Sequence, residues 1–120
     1  MDYSKMTDFE INCAVARAAG LDGMMFFDVD SSFCHGPVWN VPSGITEEGI
    51  NISRGNPFTP CTTAAAAWPI IVENGIGIIP YKKGLCEAWN VSRGLIEGTT
   101  KDENPLRAAM IVYLMMQEAK

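Results

Sequence analysis

The stretch LRAAMIVYLMM, residues 106–116, carries a single charged side chain, Arg107. Asn104 stands where a helix cap belongs, and Pro105 takes the first helical position, where its missing N–H does no harm. On a helical wheel Leu106, Ala109, Met110, Val112, Tyr113, Leu114 and Met116 fill one broad arc. Ala108, Ile111 and Met115 fall on the opposite side, beside Arg107 and Glu118. A surface helix needs one apolar stripe, whereas a helix that is apolar nearly all round must be covered on two sides. The closing helix is therefore expected to lie on a sheet and to touch another layer as well: the first helix, the second helix or a second copy of the chain. If Ile111 and Met115 are bare in the monomer, they form a contact patch. With Trp39, beside a long irregular segment, they are the candidate interface residues.

The same helix, 105–118, would be about 21 Å long, and no apolar run reaches the roughly 20 residues that span a bilayer. It reads as a buried helix, and no membrane association is expected. A length of 120 residues with 48% hydrophobic and 19% charged side chains fits one domain, 1–120, with a core of its own. The net charge is −5, and the nine Lys and Arg are scattered, with Lys82-Lys83 the one adjacent pair. A duplex binder needs a cationic stripe to displace counterions, so no nucleic-acid binding is expected. The polar, acidic opening MDYSKMTDFE shows no secretory signal, so a cytoplasmic setting and reduced thiols are expected. Cys13, Cys34, Cys61 and Cys86 lie 21, 27 and 25 residues apart, without the close pairs of zinc sites. They read as small buried hydrophobes, against a metal site around Cys34 and His35. The acceptor patterns at Asn51 and Asn90 read as chance matches.

Local signals place three helices. Thr7 and Glu10 form a capping box, Met6 and Ile11 a staple, and Gly20 a left-handed stop, giving a helix at 8–19. Thr62 or Thr63 caps a second helix at 62–74, with four alanines and an Asn74-Gly75 end. Pro69 either kinks it or starts it; a kinked helix fits the spacing of Ala65, Trp68, Ile71 and Gly75 better. The third helix is 105–118. Strands are expected near 24–29, 34–41, 76–81 and 85–91, the last two an antiparallel hairpin across Lys82-Lys83-Gly84. Segment 42–60 reads as a long irregular loop, with at most a short strand at 50–53. The expected fold is α/β (α+β): three helices on a small mixed sheet, layered like α-β-α. The expected core holds Ile11, Val15, Phe26, Trp68, Ile71, Ile76, Ile78, Trp89, Met110, Tyr113 and Leu114.

The segments MDYSKMTDFEINCAVARAAGL, AAAAWPIIVENGIGIIPY and NPLRAAMIVYLMMQE together resemble a family of small proteins encoded by lambdoid phages and prophages. Its members include the NinX-type proteins of the nin region. The resemblance covers residues 2–21, 64–81 and 104–118, and residues 23–56 depart most. It implies phage origin and a layered fold of helices and sheet. It carries no catalytic residues, because the family has no established biochemical activity.

Three classes of function remain. For an enzyme there is one histidine, His35, and neither a nucleophile elbow nor a phosphate-cradling glycine loop. GIGIIP leads into a strand. The acidic pairs are Asp28/Asp30, Glu47/Glu48 and Asp102/Glu103. Asp28 and Asp30 share one side of a strand and could hold a divalent cation, but they read more simply as a solvated strand end. No catalytic, cofactor or metal residue is assigned, and a small enzyme with an unrecognised site stays an alternative. For a binding module the lever is tryptophan, which is enriched in binding hot spots. Trp68 and Trp89 read as core, and Trp39 as the accessible one. This favours a phage accessory protein acting on an unknown host or phage protein. The third class is a self-associating structural protein, a twofold homodimer closed by Ile111 and Met115.

Overall fold

The computed structural model of the chain describes residues 2–29, 35–39, 42–46, 49–52, 57–82, 85–90 and 100–118. The first helix, α1 (Asp8–Ala18), is set at both ends by local chemistry. The Thr7 hydroxyl accepts from the Glu10 N–H while the Glu10 carboxylate accepts from the Thr7 N–H, a complete capping box. At the other end Gly20 takes φ 77°. The Leu21 and Gly20 N–H groups then donate to the Ala16 and Arg17 carbonyls, the paired bonds of a Schellman stop.

The second helix, α2 (Ala64–Asn74), runs through Pro69 and ends at Gly75, φ 64°. Its start is two residues later than expected, and the Thr63 hydroxyl is bonded to Thr59 instead of capping the helix. The third, α3 (Pro105–Glu118), has the expected bounds. Asn104 caps it, its Oδ1 accepting from the Leu106 and Arg107 N–H groups at 2.9 and 3.3 Å.

Seven strands are described. β1 (Met25–Phe26) pairs with β2 (Val38–Trp39), and β3 (Pro42–Thr46) with β4 (Gly49–Ile52). β5 (Ile76–Lys82), β6 (Leu85–Asn90) and β7 (Thr100–Asp102) form a three-stranded sheet in that order. The fold class is as expected, a small α+β domain with three helices and the 76–91 hairpin. The details differ in three ways. All described pairings are antiparallel, so the sheet is not mixed. Segment 42–60 is not all loop, because 42–52 closes on itself as the β3–β4 hairpin. Residues 24–29 and 34–41 contribute only two strand residues each, and Cys34, Asn40 and Val41 lie outside the described residues.

The layers are also reordered: α3, not the sheet, lies in the middle. One side of α3 packs on β5, β6 and β7, and the other on α1 and α2. All seven residues from Ala108 to Leu114 are buried, two full turns with no open side. The doubly apolar helix is thus covered twice within its own chain. On the sheet, Ile76, Ile78, Ala88 and Cys86 share the face toward α3, while Gly77, Ile79, Glu87 and Trp89 occupy the other. Ala88 is fully buried, whereas Trp89 is only half-buried.

Buried polar groups tie these layers together. The side chain of Asn12, fully buried on α1, donates to the His35 carbonyl at 2.6 Å and accepts from the Cys61 N–H at 3.0 Å. The Cys61 carbonyl accepts from Asn104 Nδ2 at 2.6 Å, so two asparagines satisfy both backbone groups of one buried residue. Arg107 reaches from α3 to Asp8 at 2.6 Å and Asp102 at 3.0 Å, and donates to the Met6 carbonyl at 2.6 Å. Burial alone would lower its pKa, but the Asp8 bond and the two negative charges raise it, so the cation is retained.

Candidate interaction surface

The expected contact residues are not where the surface is. Ile111 is 3% exposed, inside the core cluster, and Met115 is half-buried against it. Neither forms a bare patch on the monomer, because the sheet and the other two helices enclose α3 from both sides. Trp39 pairs through its backbone with Met25, and its side chain lies outside the described residues. Phe26 and Trp68, expected in the core, are 49% and 62% exposed.

The apolar surface lies instead on α2. This helix buries Ala67 and Ile71 and turns Ala64, Ala65, Trp68, Pro69 and Val72 outward. Trp68 and Val72 sit four residues apart, one above the other, and Val72 is 59% exposed. Glu73 is the one charged residue on the outward side. Proline in a helix has no N–H for the turn before it, which leaves the Ala65 carbonyl without its usual intrahelical partner. The outward face of α2 therefore combines a tryptophan ridge, small alanines and an open helix turn.

Grooves flank the ridge on both sides. One, about 570 Å³, runs between α2 and the segment around Leu21, Pro57 and Phe58, with Glu73 at its edge. The other, about 400 Å³, lies between α2 and β5. It is lined by Trp68, Ile71, Val72, Gly75, Ile76 and Ile78 and contains no ionisable side chain. Contiguous exposed apolar surface of this kind marks interaction sites more often than isolated exposed hydrophobes do.

The other singled-out residues do not converge on a reactive centre. His35 is exposed, and its backbone carbonyl is what the fold uses. Asp102 is engaged by Arg107, and Glu103 is exposed. Asp30, Glu47, Glu48 and Cys34 lie outside the described residues. Cys13, Cys61 and Cys86 are buried free thiols, and burial pushes the Cys61 thiol up to about 12. Among the described residues no three His, Cys, Asp or Glu side chains gather as metal ligands, and no helix is long and apolar enough to cross a membrane.

The exposed tryptophan was hard to read from the chain because α2 is apolar on nearly every side. Two signals point to the outward side: Glu73, the one charged residue of the helix, and Pro69 four residues before it, which weakens the turn that faces solvent.

A family model described as "Bacteriophage P22, NinX" matches residues 2–117. Neither the curated proteins nor the solved structures contain a match to the chain.

Proposed function

The chain belongs to the Bacteriophage P22 NinX family, and from that premise we propose that it is a non-enzymatic accessory protein of the host cytoplasm. It acts by binding a host or phage protein through the outward face of α2. The observation that carries this reading is the pair Trp68 and Val72, 62% and 59% exposed one turn apart on a helix whose outer side holds one charge. A tryptophan so exposed offers roughly 90–150 Å² of apolar area to a partner, worth about 2–4 kcal/mol when covered. Tryptophan at the centre of a patch is also the residue type most enriched among hot spots.

The test is affinity capture from phage-infected host lysate with the wild-type chain and with Trp68→Ala and Val72→Asp. The wild type should retain a partner that survives raised salt, since an apolar contact is little screened. Each variant should weaken that capture by about 30-fold or more, the equivalent of 2 kcal/mol. A partner held equally by both variants, or recovery of the bait alone at every salt concentration, overturns the reading. Light scattering provides the control: concentration-dependent dimers lost in the same variants would replace a foreign partner with a second copy.

A further inference from the structure

Among the described residues the sheet next to this surface has an open edge, and one proline sets its hydrogen-bond geometry. β5 is the outer strand of the three-stranded sheet, with β6 on its inner side and no described strand on the other. In an antiparallel pair, residues opposite each other alternate between pairs that exchange both hydrogen bonds and pairs that exchange none. Pro80 stands opposite Cys86 and has no N–H to exchange, so Pro80↔Cys86 is a non-bonded pair. Counting back, Ile79↔Glu87 and Gly77↔Trp89 are the bonded pairs, and Ile78↔Ala88 and Ile76↔Asn90 are not. The N–H and C=O groups of Ile76 and Ile78 therefore point outward, away from β6.

The two sheet edges are not alike. β7 is Thr100–Asp102, a three-residue strand with a lysine and an aspartate. Charges on a short edge strand discourage added strands. The outer edge of β5 carries no charge from Ile76 to Ile79, and then closes with Pro80, a bulge and Lys82. This leaves a receptive window of four residues, about 13 Å at 3.3 Å per residue. The uncharged groove of about 400 Å³ opens beside that window, because Ile76 and Ile78 are both its wall and the residues with outward backbone groups.

Resting on the reading of α2 as a binding surface, we infer that the partner contributes a short extended segment that adds to the β5 edge as a fourth strand. Main-chain bonds to Ile76 and Ile78 hold it. Every second side chain of the segment, uncharged and apolar, enters the groove against Trp68, Ile71 and Val72. Strand addition of this kind takes affinity from the backbone and specificity from pockets for alternate side chains. The outward N–H and C=O groups of Ile76 and Ile78 select an extended occupant, because a helix spends its own backbone groups on internal bonds.

The test is to pan the full-length chain against a displayed library of random octapeptides, then follow amide hydrogen exchange of the isotope-labelled chain with a selected peptide. Selected peptides should carry apolar β-branched or aromatic residues at alternate positions. At saturation, exchange at Ile76 and Ile78 should slow at least tenfold, while Gly77 and Ile79, already bonded to β6, stay unchanged. N-methylation of the peptide should abolish binding at one parity of residues and leave the other tolerated. Failure to select any peptide counts against the inference. A ligand whose binding needs Trp68 but leaves exchange at Ile76 and Ile78 untouched overturns the added strand and leaves the α2 surface standing. Slowed exchange that grows with the chain's own concentration, without peptide, identifies a second copy and overturns the foreign segment.

Discussion

Replacing Arg107 with alanine should unfold the chain more easily than any single change on its surface. The guanidinium is 12% exposed and makes contacts that no other side chain reproduces. Nε donates to Asp102 at 3.0 Å, Nη1 to Asp8 at 2.6 Å, and Nη2 to the Met6 and Ser4 carbonyls at 2.6 and 3.3 Å. One residue of α3 thus holds the leading segment, α1 and β7. The Asp102 carboxylate is 20% exposed, so its charge-assisted bond is poorly replaced by water and contributes about 1.5–3 kcal/mol. Asp8 is 38% exposed, and solvent screening discounts that pair to about 0.5–1 kcal/mol. Together Arg107→Ala should cost about 2–4 kcal/mol, which lowers Tm by on the order of 10 °C in a domain of this size. Arg107→Lys keeps the charge but lacks the planar fork, and should recover about half of the loss. Urea unfolding followed by tryptophan fluorescence measures both. An Arg107→Ala midpoint within about 0.5 kcal/mol of wild type at unchanged m would refute the argument.

Three further outcomes are expected. Asn12→Ala should destabilise by about 2–4 kcal/mol in the same urea assay, because it strands the buried Cys61 N–H and the His35 carbonyl at once. Gly36→Ala should lower Tm measurably, because an added Cβ would run into the Phe58 carbonyl, which is backbone and cannot swing aside. Burial, and then the neighbouring Glu118 carboxylate, push the Tyr3 phenol from 10.0 up to about 12. A raised pKa means the folded state holds the proton more tightly, so this stability is complete below pH 10 and lost between pH 10 and about 12. Tyr3→Phe should therefore flatten the fall in stability over that window. The Cys61 thiol, held up to about 12 by burial, accounts for part of the slope that remains.

What could be read from the chain was whatever local chemistry decides. The capping box at Thr7 and Glu10, the stop at Gly20, the Asn104 cap and the Gly75 stop each depend on residues within one turn. The double covering of α3 was also legible, because seven consecutive buried positions demand apolar residues on all sides. The same reasoning failed on α2. Alanines, tryptophan, proline and valine make that helix nearly as oily, and Glu73 alone marks the side that faces water. Hydrophobic periodicity distinguishes a stripe from a ring but not a covered ring from an open one. β7 was missed because Thr100–Asp102 is short and polar, with no apolar alternation. β4 overlaps the short strand expected at 50–53, but its partner β3 was missed because Pro42, Ser43 and Gly44 ordinarily signal loop. The Arg107 clamp joins residues 99 positions apart, and no local pattern reports such a contact.

The central claim is that the outward face of α2 is where this phage protein meets its partner. Placing a photo-crosslinking amino acid at position 68, and separately at position 24, tests it most directly. Met24 serves as the comparison, an apolar side chain 44% exposed that lines neither groove. Irradiation of infected cells should yield a discrete adduct with another protein from position 68 and none from position 24. Adducts from position 24 alone, or equal and diffuse adducts from both, would contradict the claim.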